Sequence, residues 1–183
     1  MRLKRIWLLL VGLGLLFLIQ AGGIAWSQVT ERVSVDSAGN EANGASTVPS
    51  TSNDGRFVAF ESFANNLLGV GNDNNNRPDV FVHDRQTGTT TRVSVGLAGA
   101  EGDDSSTDPS ISSDGRYVAF ESIATNLLGV GIDDNAFSDV FVHDRQMGTT
   151  TRVSVESDGD EGIGASFNPS ISSNGRYVAF ESD

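Results

Sequence analysis

The sequence stretch that decides the fold is SSDGRYVAFES at residues 112–122. Closely similar stretches occur at 52–62 and at 172–182, so three copies stand 60 positions apart. Two shorter motifs keep the same period: DVFVHDRQ begins at 79 and 139, and RVSV begins at 32, 92 and 152. A fixed period without insertions predicts an array of one supersecondary unit.

Turn residues divide each unit into four short strands. In the second copy the Asp114-Gly115 pair predicts a tight hairpin turn, since glycine tolerates a positive φ. Branched and aromatic residues mark the strands, whereas Asn, Asp and Gly mark the loops. The predicted strands of this copy are 109–113, 116–122, 138–144 and 149–155. Helical periodicity does not appear after the first 27 residues, so no helix is predicted there.

The apolar residues of the inner strands are continuous rather than alternating. Tyr117 to Phe120 and Val140 to Val142 are unbroken apolar runs. A strand in a sheet with one wet face alternates, so both faces of these strands are expected to be covered. Four-stranded sheets stacked radially provide that cover, because each sheet lies between its neighbours.

The repeated stretch, followed by the run from Asp139 to Val155, resembles the WD-repeat-like β-propeller repeats of the TolB family of exported bacterial proteins. The similarity extends from about Val29 to Asp183. It implies an all-β fold, a β-propeller of four-stranded antiparallel blades, of which the chain covers about two and a half. It also implies an exported role in protein interaction, without naming a partner.

The predicted propeller segment is 28–183, with an outer strand at Val29 to Val35. Two full repeat units follow at about 48–95 and 108–155, and an incomplete one at 168–183. Propellers have about 4 to 8 blades. We therefore expect the chain to be a fragment of a longer propeller; the alternative is that several chains complete the ring as an oligomer.

Residues 1–27 have the pattern of a signal peptide. Arg2, Lys4 and Arg5 precede an apolar stretch from Ile6 to Ile19, and Ala25 to Ser27 offers a cleavage site. The alternative is an uncleaved membrane anchor over residues 6–26, since about 20 apolar residues can span a bilayer. Either reading predicts export to a periplasmic or extracellular location, with membrane contact only through this segment.

The composition excludes several classes of function. The chain has 12 Lys and Arg against 24 Asp and Glu and a formal net charge of −12. A nucleic-acid binder needs a basic face, so nucleic acid is excluded as a partner. With no cysteine, disulfide and thiolate chemistry are excluded as well. The acidic loops favour basic partners or cations, and we expect a protein or glycan partner outside the cytoplasm.

No catalytic residue is predicted. His83 and His143 occupy one slot in two copies, whereas a catalytic constellation should occur once. Glu61, Glu121 and Glu181 likewise repeat once per unit and are expected to bond to neighbouring backbone or Arg. The sequence predicts a non-enzymatic binding or structural module. The alternative is the propeller part of an exported hydrolase, similar to prolyl oligopeptidases, with its catalytic domain beyond residue 183.

The long loops at 71–79 and 131–139 are candidate calcium sites, because alternating Asp and Asn side chains supply the oxygen ligands that Ca²⁺ requires. The candidate ligands are Asp73, Asn75, Asp79, Asp133, Asn135 and Asp139. The alternative is that these residues only form turns. The sequence suggests no cofactor other than calcium. The acidic loops at 101–104 and 158–161 are interpreted as solvated.

Overall fold

The structure is a computed structural model that describes residues 30–129, 133, 135 and 137–183. The signal or anchor segment predicted at 1–27 lies outside these residues. The chain divides into two units, 1–31 and 32–183, and the second contains every element described below. Among the described residues, no helix is long and apolar enough to cross a membrane.

The second unit consists of repeated antiparallel sheets. Blade 1 contains β1 (Ser46–Thr51), β2 (Phe57–Ser62), β3 (Asp79–Asp84) and β4 (Thr89–Arg92), paired in that order. Blade 2 contains β5 (Ser106–Ile111), β6 (Tyr117–Ser122), β7 (Asp139–Asp144) and β8 (Thr149–Arg152). A pair of strands follows, β9 (Ser166–Ile171) and β10 (Val178–Ser182). The predicted all-β fold of four-stranded antiparallel blades is confirmed.

The hairpin turn inside the repeated motif forms as predicted. Gly115 has a φ of +72°, which a side chain would strain. Asp114 Oδ1 accepts hydrogen bonds from Ser112 Oγ at 2.6 Å and from the Arg116 amide at 3.0 Å. A short polar side chain thus stabilises the turn between β5 and β6.

The first strand of each blade begins earlier than the sequence predicts. The predicted range is 109–113, but β5 runs from Ser106 to Ile111. Its pairing with β6 shifts register between Thr107 and Ser110, and the bulge between them holds Asp108 at a φ of +50°. Pro109 follows at this irregularity, where its missing N–H breaks no ladder bond. The proline therefore marks a bulge within the strand rather than its start.

The fourth strand is shorter than the sequence predicts. The predicted range is 149–155, but β8 ends at Arg152, because the chain then turns toward the next sheet and Val155 pairs with Glu161. The outer strand predicted at Val29 to Val35 is likewise absent from residues 30–34, and Val29 lies outside the described residues. Val35 instead forms the same kind of isolated bridge, with Glu41.

The core lies between the blades. β3 is buried at all six positions, which confirms that the inner strands are covered on both faces. One apolar cluster joins residues from both blades: Ala59, Val80, Val82, Val93, Ile111, Val118, Phe120 and Phe141. Within blade 2 the Phe120 and Phe141 rings stack at 5.9 Å. Each buried Val, Ile or Phe side chain of this cluster stabilises the stack by about 1.5–3 kcal/mol.

Candidate functional site: a carboxylate cluster in each blade

The strand pairing places the starts of β1 and β3 and the ends of β2 and β4 at one end of blade 1. At this end three acidic side chains meet. Asp79 opens β3, Asp73 lies in the preceding loop, and Glu101 lies in the loop that leads to blade 2. Their carboxylate oxygens lie within 4.8 Å of one another. The structure thus brings two of the predicted ligands together with a third acid.

The Arg92 guanidinium lies inside this cluster. Its Nη1 is 2.9 Å from Asp79 Oδ2 and 2.8 Å from Glu101 Oε1. Asp79 Oδ1 accepts a hydrogen bond of 2.7 Å from Ser94 Oγ. The RVSV motif therefore supplies both the cation and the hydroxyl that hold the buried carboxylate of the third strand.

Blade 2 repeats the arrangement. Arg152 Nη1 is 3.1 Å from Asp139 Oδ2 and 2.8 Å from Glu161 Oε1. Ser154 Oγ donates to Asp139 Oδ1 at 2.6 Å. The remaining acid, Asp133, places its Oδ2 4.0 Å from Arg152 Nη1. The sequence repeat therefore produces the same cluster of acids around an arginine in both blades.

One aspartate in each cluster is not satisfied by hydrogen bonds. Asp73 Oδ1 and Asp133 Oδ2 are buried and accept no hydrogen bond. Burial first, and then the nearby carboxylate of Asp79, raises the pKa of Asp73 to about 6. Burial and Asp139 raise the pKa of Asp133 to about 7 in the same way. Both carboxylates are therefore costly to ionise where they lie.

The predicted asparagine ligands lie elsewhere in the loops. Asn75 Nδ2 donates to the Gly102 carbonyl at 2.8 Å, and its Oδ1 accepts from the Arg77 amide at 2.7 Å. Asn135 makes the equivalent bonds, to the Gly162 carbonyl and from the Phe137 amide. Both side chains thus fasten the long loop to the loop that enters the next sheet. They have the turn-forming role considered as the alternative.

Glu101 and Glu161 are members of the clusters that the sequence did not reveal, since their loops were interpreted as solvated. The Glu101 side chain is 21% exposed and that of Glu161 16% exposed. The backbone amides of Asn74 and Asn75 also donate to Glu101. A signal was present in the sequence: an acid follows the motif arginine by nine positions in each copy.

A cavity adjoins the first cluster. It has a volume of about 420 Å³ and reaches Asp73. Its remaining lining consists of asparagines and small or apolar residues: Asn43, Asn65, Asn66, Val70, Gly71, Asn74 and Asn76. The cavity gives solvent a polar route to the Asp73 carboxylate.

The histidines are part of the sheet. His83 and His143 are buried, and the Nδ1 of each lies at hydrogen-bond distance from a threonine hydroxyl: Thr90 at 2.9 Å and Thr150 at 3.0 Å. Burial lowers the pKa of His143. Both rings thus pack between the third and fourth strands of their blades.

Glu61 connects the blades. It accepts from the Thr47 hydroxyl at 2.5 Å within blade 1 and from the Asp108 amide of blade 2 at 3.3 Å. Glu121 repeats this with Thr107 and the Asn168 amide. The expectation that these repeated glutamates bond to neighbouring backbone is confirmed for these two copies.

Comparison with known proteins gives likenesses in structure but not in sequence. No family model and no curated protein matches the chain. Among solved structures, TolB from Acinetobacter baumannii is 18% identical with a TM-score of 0.44, over 77% of this chain and 27% of that one. A putative TolB from Agrobacterium tumefaciens is 20% identical with a TM-score of 0.48, over 76% and 39%. In the described residues, the two four-stranded antiparallel sheets have the sequential strand order expected of propeller blades.

The likeness extends to propellers of enzymes. A prolyl endopeptidase structure is 19% identical with a TM-score of 0.49, over 85% of this chain and 21% of that one. The chain therefore spans well under half of each of these structures. At this identity the likeness concerns the fold alone. The repeated antiparallel sheets of the described residues agree with the β-propeller fold predicted from the sequence.

Proposed function

We propose that the chain is an exported, non-enzymatic β-propeller module that binds a cationic protein partner through one end of its blades. We call this end the loop face. It carries the long connections at 36–45, 63–78, 96–105, 123–138 and 156–165. The opposite end, the turn face, carries the hairpin turns at 52–56, 85–88, 112–116, 145–148 and 172–176.

The observation that carries the proposal is the separation of charge between the two faces. The described residues of the loop-face connections contain 11 Asp and Glu and a single cation, Arg77, which itself pairs with Asp104 at 3.3 Å. The turn-face hairpins contain two aspartates and five arginines. Two of these arginines, Arg56 and Arg116, pair with Asp84 and Asp144 at the adjoining strand ends, so the turn face is only weakly positive. The strongly negative loop face therefore attracts and orients a cationic surface.

Apolar side chains accompany the acids on the loop face. Phe63 is 61% exposed, Leu97 69% and Ile163 87%, and Val70 is almost fully exposed. Exposed apolar groups rimmed by charge are typical of protein interaction sites. We therefore expect the partner to present cationic and apolar side chains together.

The described residues favour a binding role over a catalytic one. The histidines and the motif glutamates occur once per blade and make hydrogen bonds within and between the sheets. No observation on these residues specifically favours the alternative of a propeller that serves a hydrolase domain. Export rests on residues 1–27, and deleting them should keep the protein in the cytoplasm when cells are fractionated.

Peptides of defined charge test the binding role. A labelled peptide of alternating lysine and leucine should bind the full chain, and the matching glutamate and leucine peptide should not, as measured by fluorescence anisotropy. Binding should weaken with added salt, because the attraction between exposed charges is screened.

Matched variants localise the binding. The triple variant Glu156→Gln, Asp158→Asn and Asp160→Asn removes three exposed loop-face charges. The control triple variant Gln86→Lys, Gln146→Lys and Met147→Lys makes the same change in net charge on exposed turn-face residues. The first should weaken binding clearly more than the second. Equal effects, or equal binding of the two peptides, would contradict the proposal.

A further inference from the structure

Each carboxylate cluster holds more negative charge than its arginine neutralises. Asp73, Asp79 and Glu101 carry three negative charges when ionised, and Arg92 supplies one positive charge. Asp79 is fully buried and Asp73 is 9% exposed. Carboxylates buried to this extent need compensation of their charge, since little water solvates them. The excess of two charges matches one divalent cation.

The unsatisfied oxygen in each cluster is directed into it. Asp133 is 4% exposed, and its Oδ2 accepts no hydrogen bond although it lies 4.0 Å from Arg152 Nη1. In blade 1 the Asp73 Oδ1 atom is likewise buried and accepts no hydrogen bond. The guanidinium therefore forms ion pairs within 3.1 Å with two carboxylates of each cluster, and in each cluster an aspartate oxygen stays available. In blade 2 the Glu161 Oε1 atom also accepts no hydrogen bond.

We propose that each complete blade binds one calcium ion at this third carboxylate, beside the arginine. The donors are carboxylate oxygens, which hard cations prefer, and Ca²⁺ tolerates irregular geometry and water ligands. Asp73 and Asp133 are the principal ligands, and Glu101 and Glu161 contribute their remaining oxygens. The asparagine-lined cavity beside Asp73 admits the ion and its water ligands in blade 1.

A third copy of the motif arginine serves as an internal comparison. Arg32 pairs with Glu41 at 2.6 Å, with the same spacing of nine positions. These side chains are 56% and 69% exposed, and this pair is not among the described groups of three acids that could hold a metal. One acid balances one base there, so no cation is required. The proposal therefore predicts two calcium ions per chain, and not three.

Equilibrium dialysis of the full chain against radioactive Ca²⁺ at pH 7.5 tests this number. We expect two ions bound per wild-type chain. Asp73→Asn and Asp133→Asn should each leave one, and the double variant should bind none. The amide keeps the size of the side chain and removes its charge, so these variants are expected to fold, as circular dichroism would show.

The control variant is Asp158→Asn, which removes an exposed acid from the loop of Glu161. It should still bind two ions. A wild-type chain that binds no calcium would overturn the proposal, and this measurement does not depend on any variant folding. Two ions retained by the double variant would overturn it as well. If the chain binds no calcium but melts at a higher temperature at pH 5 than at pH 8, a proton occupies the clusters instead.

Discussion

Gly115 of blade 2 lies against the ring of Phe57 of blade 1, so closely that a Cβ on Gly115 would come within 2.1 Å of Phe57 Cδ2. Gly175 stands in the same relation to Tyr117, at 2.2 Å. The glycine of the repeated motif thus has two functions. It allows the positive φ of the hairpin turn, and it admits the aromatic residue of the preceding blade.

Gly115→Ala should destabilise the chain through both functions. A left-handed non-glycine residue costs about 1–2 kcal/mol, and overpacking adds about 1–3 kcal/mol. Gly148→Ala is the matched control, since Gly148 has a φ of +66° and a Cβ added there would meet no atom within 4 Å. In thermal melts Gly115→Ala should therefore lower Tm clearly more than Gly148→Ala. Equal decreases would show that the ring yields without cost.

The second prediction concerns pH in the presence of a chelator. The folded-state pKa values of Asp73, about 6, and Asp133, about 7, exceed the usual 3.8. Protonation therefore favours the folded state, and this stability is fully present below pH 4 and lost as pH rises through 6 to 7. Tm should fall between pH 5 and pH 8.

The double variant Asp73→Asn and Asp133→Asn should lose most of that fall, because the amides do not ionise. A wild-type Tm that is unchanged between pH 5 and pH 8 would contradict the raised pKa values.

The opposite dependence is expected at acidic pH from the Arg116 and Asp144 pair. Arg116 donates to both Asp144 oxygens, at 3.0 and 2.6 Å. These bonds lower the pKa of Asp144 to about 2 from 3.8. The pair therefore stabilises the fold above pH 4, and this contribution is lost as pH falls through 2.

Asp144→Asn should remove this contribution. Its unfolding free energy, measured with urea at pH 6 and at pH 2, should change less between the two values than that of the wild type. Arg56 and Asp84 form the same pair in blade 1 and keep part of the dependence. Identical pH dependences in variant and wild type would exclude a contribution from this bond.

Local signals in the sequence predict the blades well, and contacts between distant loops explain what those signals miss. The Asp114-Gly115 turn and the apolar run after it depend on neighbouring residues, so the pattern alone predicts them. Glu101 lies beside Asp73 although 28 positions separate them in the sequence, because it belongs to the loop that connects the two blades. Its spacing of nine positions from the motif arginine is the one signal, and the same spacing gives an exposed pair at Arg32 and Glu41.

The bulge of the first strand is also not predicted from the sequence, because it depends on a contact between blades. Pro109 has the features of a strand start, because proline interrupts a ladder. The structure places it after Asp108, whose amide donates to Glu61 of the preceding blade. The pairing of two blades, and not the sequence around the proline, determines where the strand begins.

The final prediction compares the two glutamates that connect the blades. Glu61 and Glu121 each accept from a backbone amide of the next sheet, that of Asp108 and that of Asn168. The Asp108 carboxyl has a raised pKa, from burial and then from the charge of Glu61, whereas Asn168 carries no charge.

Glu121→Gln should weaken a charged hydrogen bond and cost about 1.5 kcal/mol. Glu61→Gln should cost less at pH 7, because it also relieves the repulsion from Asp108. Urea unfolding measures the difference in unfolding free energy between the two variants. In an Asp108→Asn background this difference should disappear. A larger cost for Glu61→Gln than for Glu121→Gln would contradict the repulsion.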